Sequence, residues 1–441
     1  MARVENSLKS KIQIIDSAEA TNAKTIRAFF ARPPFPEKAE AVARKILRDI
    51  SREGDTAVAR YAKRFDGACL VPGRFRVTDR EIEEVKRSAD ADFKRAVRAS
   101  DRRVALFNRG GKRRDWTMRS PGGGHLGERF TPIRRVGVYI PGGEAPLVST
   151  AIMTVTLART AGVSEIVACT PCGPDGSVNA HVLYALQYAG ATEIYRVGGV
   201  QAIGAMAFGT RAIPKVLKIV GPGNAYVTAA KRQLYGLVDL DLVAGPSEIA
   251  VLADGSAVPR HVALDLLSQL EHGTGDEKAL LITTSKRLAE KVVRSVWSEC
   301  GSLSRGEWLR GVLPRNLLVV RVRTVGEALA LSNRFAPEHL ELIVRNPRNW
   351  LKGVENAGAV FLGPYTPESA GDFAAGPSHV LPTGGTAAVF SGLTAETFRK
   401  KTSVIGLTRR DLEDVLPVIE TFGRVENLDA HAKSARARFE K

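Results

Sequence analysis

The chain has 441 residues, about three times a typical domain length of ~150, so two or three packed lobes are expected. Hydrophobic residues make up 44% and charged residues 25%, an ordinary globular balance that excludes a collagen-like, disordered or disulfide-stapled chain. The formal net charge of +17 raises the idea of a polyanionic partner, but net charge bears on association and not on fold.

The first residues, Met1-Ala-Arg-Val-Glu-Asn-Ser-Leu-Lys-Ser-Lys, show no apolar signal segment. The four cysteines, Cys69, Cys169, Cys172 and Cys300, are too scattered for a staple framework and fit a reducing compartment, so a cytoplasmic location is expected. Over 36–65 the apolar residues recur mostly at three and four, with Gly54-Asp55 breaking the run, which predicts two amphipathic helices. Residues 94–119 hold ten Lys or Arg against two Asp beside a thin apolar stripe of Val97, Val104 and Phe107. That pattern predicts a long helix with a solvated basic face, ending near Gly110-Gly111. Gly122-Gly-Gly124-His-Leu-Gly127 satisfies G-x-G-x-x-G, yet no strand precedes it and no helix follows, so a flexible surface loop is expected rather than a phosphate cradle.

From Arg135 the texture changes. Strands over 136–140, 166–169, 194–197 and 216–220 alternate with helical stretches over 150–161, 181–189 and 201–208, which predicts a parallel sheet with ligands at the carboxyl ends of its strands. The apolar run 151–158 is closed by Arg159, well short of the ~20 residues a membrane helix needs. Tyr139-Ile-Pro-Gly142-Gly143 and Gly221-Pro-Gly-Asn224 both follow strands and precede helical pattern, so their amides could face a pyrophosphate or simply make βα turns. Cys169-Thr-Pro-Cys172 leads into a turn, with no second cysteine pair to complete a zinc site, and reads as two incidental cysteines. After Gly245-Pro-Ser-Glu248 the rhythm resumes with strands over 249–252 and 279–283, a helix ending near His272 and another over 286–297. From Phe390 onward the chain reads as a charged helical tail, amphipathic over 411–422, that packs on something else. Ala-Gly-Pro-Ser occurs twice, before Glu248 and before His379, and reads as two similar turns.

The histidines carry the chemistry. Gln269 lies three residues before His272, so on a helix both project from one face. Glu338-His339 follows Pro337, which suits the first turn of a helix and sets an acid beside a base. Asp372 and His379 lie in a Gly-rich and Ala-rich loop with little core to make. His431, shortly after Glu426, reads alone as a surface residue.

Together, Leu267-Ser-Gln269-Leu-Glu-His272-Gly, Ala336-Pro-Glu338-His339-Leu-Glu341, Ser369-Ala-Gly-Asp372, His379-Val-Leu-Pro-Thr-Gly and Gly221-Pro-Gly-Asn224-Ala-Tyr-Val closely resemble the histidinol dehydrogenase family, over nearly the whole chain. The resemblance implies NAD-dependent, four-electron oxidation of L-histidinol to L-histidine through histidinal, the last step of histidine biosynthesis. It implies a zinc ion held by Gln269, His272, Asp372 and His431, with His339 as the base and Glu338 as the activator of water. Ser247, His379 and Glu426 match substrate contacts, as do Glu338 and the metal-binding positions, while Tyr139, Gln201 and Asn224 match cofactor contacts.

The fold implied is α/β, with two incomplete Rossmann-like lobes of aldehyde-dehydrogenase type, in an intertwined homodimer with shared active sites. The divisions expected are a helical segment 1–32, a first part of the catalytic lobe 33–138, an NAD-binding lobe 139–246, a second catalytic part 247–393, and a helical tail 394–441 completing a partner's site. No nucleic-acid or membrane partner is expected. Two alternatives stay open here: a paralogous zinc dehydrogenase of another small diol or amino alcohol, such as a sulfopropanediol, and a nucleic-acid-binding protein using the basic run 94–119.

Overall fold

The computed structural model describes residues 12–32, 35–142, 146–242 and 245–440, which leaves Gly143 of the first glycine turn and Ala244 of the first Ala-Gly-Pro-Ser outside the described residues. Two parallel sheets dominate. The first takes the order Glu193–Tyr195, Glu165–Cys169, Arg135–Tyr139, Lys218–Val220, Asp239–Leu240. The second takes the order Ile14–Asp16, Leu317–Arg321, Lys278–Thr283, Glu248–Ala253, His339–Ile343, Ala359–Leu362. Counted within its own lobe and setting aside the added edge Ile14–Asp16, each sheet runs 3-2-1-4-5, a dinucleotide-binding order without its sixth strand. The α/β class with two incomplete Rossmann-like lobes is therefore what the chain adopts. Near-continuous apolar strands such as Ile249-Ala-Val-Leu252 are buried throughout, as strands covered by helices on both faces must be.

The two amphipathic helices expected over 36–65 form. Glu37–Glu53 buries Ala43, Ile46, Leu47 and Ile50, and Asp55–Asp66 follows directly after Gly54. These side chains meet Gly199–Phe208 at Gly204, where an added Cβ would lie 3.0 Å from both Ile50 and Leu47, so the glycine sets how closely the helices approach. Burying one such isoleucine contributes roughly 1.5–3 kcal/mol. The same packing puts 37–66 on the five-stranded sheet. Ala91–Gly110 is the long basic helix, held at its start by Asp90 accepting from the Phe93 N–H. Val97 and Val104 are buried, but Phe107 is exposed, so the stripe is thinner than expected.

Several expectations are corrected. The tail is not wholly helical: Arg399–Gly406 is a strand, antiparallel to His125–Pro132, which in turn pairs with Trp116–Arg119. The helices Arg409–Val425 and Asp429–Arg436 follow it. The N-terminal segment likewise carries a strand, Ile14–Asp16, before its helix Asn22–Phe30. The glycine run 122–127 is no flexible loop. The N–H groups of Gly122 and Gly124 donate to Oδ1 and Oδ2 of Asp411 at 2.6 and 3.0 Å, so the anion in this nest is a carboxylate of the chain's own tail. The Thr408 N–H donates to the same carboxylate at 2.9 Å, and the hydrogen bonds that Asp411 accepts, led by this one, hold its carboxyl far below the usual range. All four cysteines are free, and burial pushes the Cys172 thiol up to about 11, which agrees with incidental cysteines. No helix among the described residues is long and apolar enough to cross a membrane.

Candidate functional site

The first sheet places a cavity of about 1060 Å³ at its switch point, between the carboxyl ends of Arg135–Tyr139 and Lys218–Val220. Tyr139, Gln201 and Asn224 all line it. The Tyr139 hydroxyl accepts the Gly199 N–H at 3.0 Å, which leaves its own proton to donate. Asn224 caps Ala225–Leu234, its Oδ1 accepting from the Tyr226 and Val227 N–H groups at 3.1 Å each, so its amide N–H groups remain to be offered. Gln201 donates to Asp66 at 3.4 Å, while its buried Oε1 has no hydrogen-bond partner among the described residues. Burial raises the Asp66 carboxyl to about 6.

The second site lies at the amino ends of the six-stranded sheet, not at its carboxyl ends. Glu338 and His339 were expected to open a helix. His339 instead begins the strand His339–Ile343, inserted between Glu248–Ala253 and Ala359–Leu362, where Leu340, Leu342 and Ile343 are all buried. The backbone of one residue orients the pair. The Glu248 N–H donates to Glu338 Oε2 at 3.0 Å, and His339 Nδ1 lies 3.3 Å from the Glu248 carbonyl, which fixes the proton on Nδ1 and leaves Nε2 to the site. The Glu248 carboxylate is in turn paired with Arg32 at 2.6 Å.

Asp372 lies on a short helix, Glu368–Phe373, and not in a loop. His339 Nε2 faces Asp372 Oδ1 at 3.6 Å and Glu368 Oε1 at 3.9 Å. His379 Nδ1 donates to the Asp372 carbonyl at 2.9 Å, and its Nε2 lies 3.2 Å from the hydroxyl of Thr150, on the first helix after Tyr139. That contact, with Ser378 donating to the Met153 carbonyl at 3.2 Å, brings this end of the second lobe against the first. Burial opposes charge on the His339 imidazole, but Glu338, Asp372 and Glu368 outweigh it and raise the pKa to about 10. Burial also lifts Glu338 to about 7. For Asp372 burial pushes upward, yet His339 and His379 win and hold the carboxyl well below its usual range.

Gln269 closes the helix Pro259–Leu270, and His272 sits in the turn beyond it rather than on its last turn. The two still meet, Gln269 Nε2 lying 3.4 Å from His272 Nδ1, which donates to the Gln269 carbonyl at 3.1 Å. This tautomer leaves His272 Nε2 as a free lone pair, the form a metal requires. Gln269 is 1% exposed, and its Oε1 is an acceptor without a hydrogen-bond partner among the described residues. An amide oxygen, an imidazole nitrogen and the Asp372 carboxylate suit a borderline divalent cation, so these residues fit a metal.

Sequence reasoning missed Glu368. Its carboxylate, with those of Asp372 and the ring of His339, forms a group whose ligand atoms lie within 4.8 Å of one another. The spacing of Glu368 and Asp372, four residues apart with Gly371 between them, was the available signal. Ser247 is half-buried beside Glu248. Glu426 and His431 are exposed, the latter on Asp429–Arg436, which packs on Arg409–Val425, and neither joins a metal-competent group within the chain among the described residues.

A family profile described as histidinol dehydrogenase matches residues 34–439. A histidinol dehydrogenase of Heliobacterium mobile is 44% identical over 397 residues, covering 90% of this chain and 93% of that protein. One of Moorella thermoacetica is 44% identical over 404 residues, covering 92% and 95%. The crystal structure of histidinol dehydrogenase from Elizabethkingia anophelis superposes with a TM-score of 0.93 at 35% identity, over 98% of each chain.

Proposed function

Since the chain belongs to the histidinol dehydrogenase family, whose members carry out NAD-dependent histidinol oxidation in histidine biosynthesis, we propose that both oxidations take place between its lobes, with His339 as base and Glu338 as activator of water. The observation that carries this reading is the double hold of one residue's backbone on the pair, Glu248 N–H on Glu338 and Glu248 carbonyl on His339. In the first oxidation the neutral form of His339, which the surrounding carboxylates disfavour until a cation on Asp372 offsets them, takes the hydroxyl proton at Nε2, and NAD, when bound, would supply the hydride acceptor for the carbinol carbon. In the second, Glu338 takes a proton from water as the oxygen adds to the aldehyde, the His339 imidazolium returns its proton to the former carbonyl oxygen, and the resulting hydrate, facing a neutral imidazole again, repeats the first step. A buried carboxyl with a pKa near neutrality suits that exchange.

NAD is assigned to the switch-point cavity, contacted by Tyr139, Gln201 and Asn224. Ser247 and His379 contact histidinol, and Glu426 of the partner subunit supplies a carboxylate suited to its cationic end. Gln269, His272, Asp372 and His431 of the partner subunit would hold a zinc ion, which supplies, when bound, a Lewis-acid template for the amine and imidazole nitrogens of the substrate. The expected result of His272→Ala is loss of metal, read by elemental analysis of the purified variant after zinc loading. Stoichiometric zinc in that variant removes His272 from the ligand set.

Shared sites in a homodimer are supported by the surface of the tail. Ile405, Val418, Phe422 and Val425 are 52–71% exposed on Arg399–Gly406 and Arg409–Val425, an apolar face that one chain does not cover. Mixing inactive His272→Ala with inactive His431→Ala should therefore restore about a quarter of the parental activity, because random heterodimers hold one intact site each. Sites built within single chains leave the mixture dead.

A further inference from the structure

Beneath the Gly221-Pro-Gly-Asn224 loop lies an ion pair between Lys231 and Asp241, with side chains only 4% and 1% exposed. Each partner also binds a backbone group of Gly221. Asp241 Oδ2 accepts the Gly221 N–H at 2.7 Å, and Lys231 Nζ donates to the Gly221 carbonyl at 3.0 Å. A fully buried ion pair is often no more stabilising than apolar side chains of the same volume, so its presence is better explained by the geometry it enforces.

That geometry bears on the cofactor cavity. Gly221 has φ +115°, and a Cβ there would lie 2.2 Å from the Tyr139 carbonyl oxygen, so the loop backbone rests directly on that of Tyr139. Tyr139 is fixed at its other end by the Gly199 N–H, and Asn224 by the helix it caps. With Gly221 gripped at both its amide and its carbonyl, the spacing between Tyr139 and Asn224 across the cavity is set from below.

We propose that Lys231 and Asp241 are positioning residues for the dinucleotide, clamping Gly221 so that Tyr139 and Asn224 present their donors at a fixed separation. This rests on the reading of the switch-point cavity as the NAD site. Neither residue lines the cavity, so the pair acts through the loop alone.

The test uses the full-length, metal-loaded enzyme. Lys231→Met leaves the Asp241 carboxylate buried and unpaired, and it can fail to fold for that reason alone. Lys231→Met/Asp241→Asn removes both charges, keeps an acceptor for the Gly221 N–H and loses only the contact to the Gly221 carbonyl. The double variant should melt close to the parent, with KM for NAD raised roughly tenfold and KM for histidinol within about twofold of the parental value. NADH binding followed by fluorescence without histidinol should weaken in parallel. A parental KM for NAD overturns the proposal, and so does an equal rise in both Michaelis constants with a lowered Tm, which is the mark of a merely structural pair. Asn224→Ala separates the two readings. If it too leaves KM for NAD unchanged, the cavity assignment fails; if it raises KM while the double variant does not, the clamp alone fails.

Discussion

Replacing His339 by Asn is expected to lower kcat for histidinol oxidation by about 10²–10⁴-fold, the range associated with losing a positioned general base. Asn matches the near half of the imidazole and can still donate to the Glu248 carbonyl, which His339 Nδ1 meets at 3.3 Å. What it lacks is a nitrogen at the place of Nε2, facing Asp372 and Glu368. The strand itself should persist, because Leu340, Leu342 and Ile343 are buried independently of the ring. Zinc content and KM for NAD should accordingly stay near parental values while kcat falls. A variant with parental kcat removes His339 from the role of base. A variant that loses zinc together with kcat shows instead that the ring belongs to the metal group it forms geometrically with Glu368 and Asp372.

Much of this architecture was legible because the parallel lobes are built from local signals. Val136-Gly-Val-Tyr139 and Ile249-Ala-Val-Leu252 are short apolar runs bounded by Gly and Pro, and such runs separated by helical periodicity specify crossovers with little help from distant sequence. The parts that were misread are those fixed from far away. Arg399–Gly406 opens with Arg-Lys-Lys and is exposed along nearly its whole length, so no amphipathic alternation announces it; it is a strand because His125–Pro132 offers a ladder. Asp411 and the glycine nest it fills are separated by 289 positions at Gly122. Pro337-Glu338 has the look of a helix start, but two neighbouring strands claim the residues that follow, and tertiary pairing overrides local preference. The same distinction applies to the site. Gln269, His272, Asp372 and His379 stood out as side chains with metal or proton chemistry, whereas the backbone of Glu248, which orients both Glu338 and His339, has no side-chain signature that a sequence could show.

Glu338→Gln should split the two oxidations. Gln keeps an acceptor for the Glu248 N–H, which meets Glu338 Oε2 at 3.0 Å, so the strand entry and the neighbouring His339 should hold their places. The alcohol step needs only the imidazole base and the hydride acceptor, and it should proceed within a few-fold of the parental rate. Addition of water to the aldehyde needs a group that can take a proton, which an amide cannot do, and that step should slow by about 10²–10⁴-fold. The yield of NADH per histidinol consumed should then fall from two towards one, with histidinal recoverable by a carbonyl trap. In the parent enzyme the same reasoning fixes a direction with pH. Burial raises Glu338 to about 7, and only its ionised form accepts the proton, so turnover started from histidinal should increase as pH rises through that value and the variant should lack the inflection. Two NADH per histidinol at the parental rate from Glu338→Gln would mean that another group activates the water. Glu368, whose Oε1 lies 3.9 Å from His339 Nε2, is the carboxylate placed to do it, and Glu368→Gln would then inherit the split in stoichiometry.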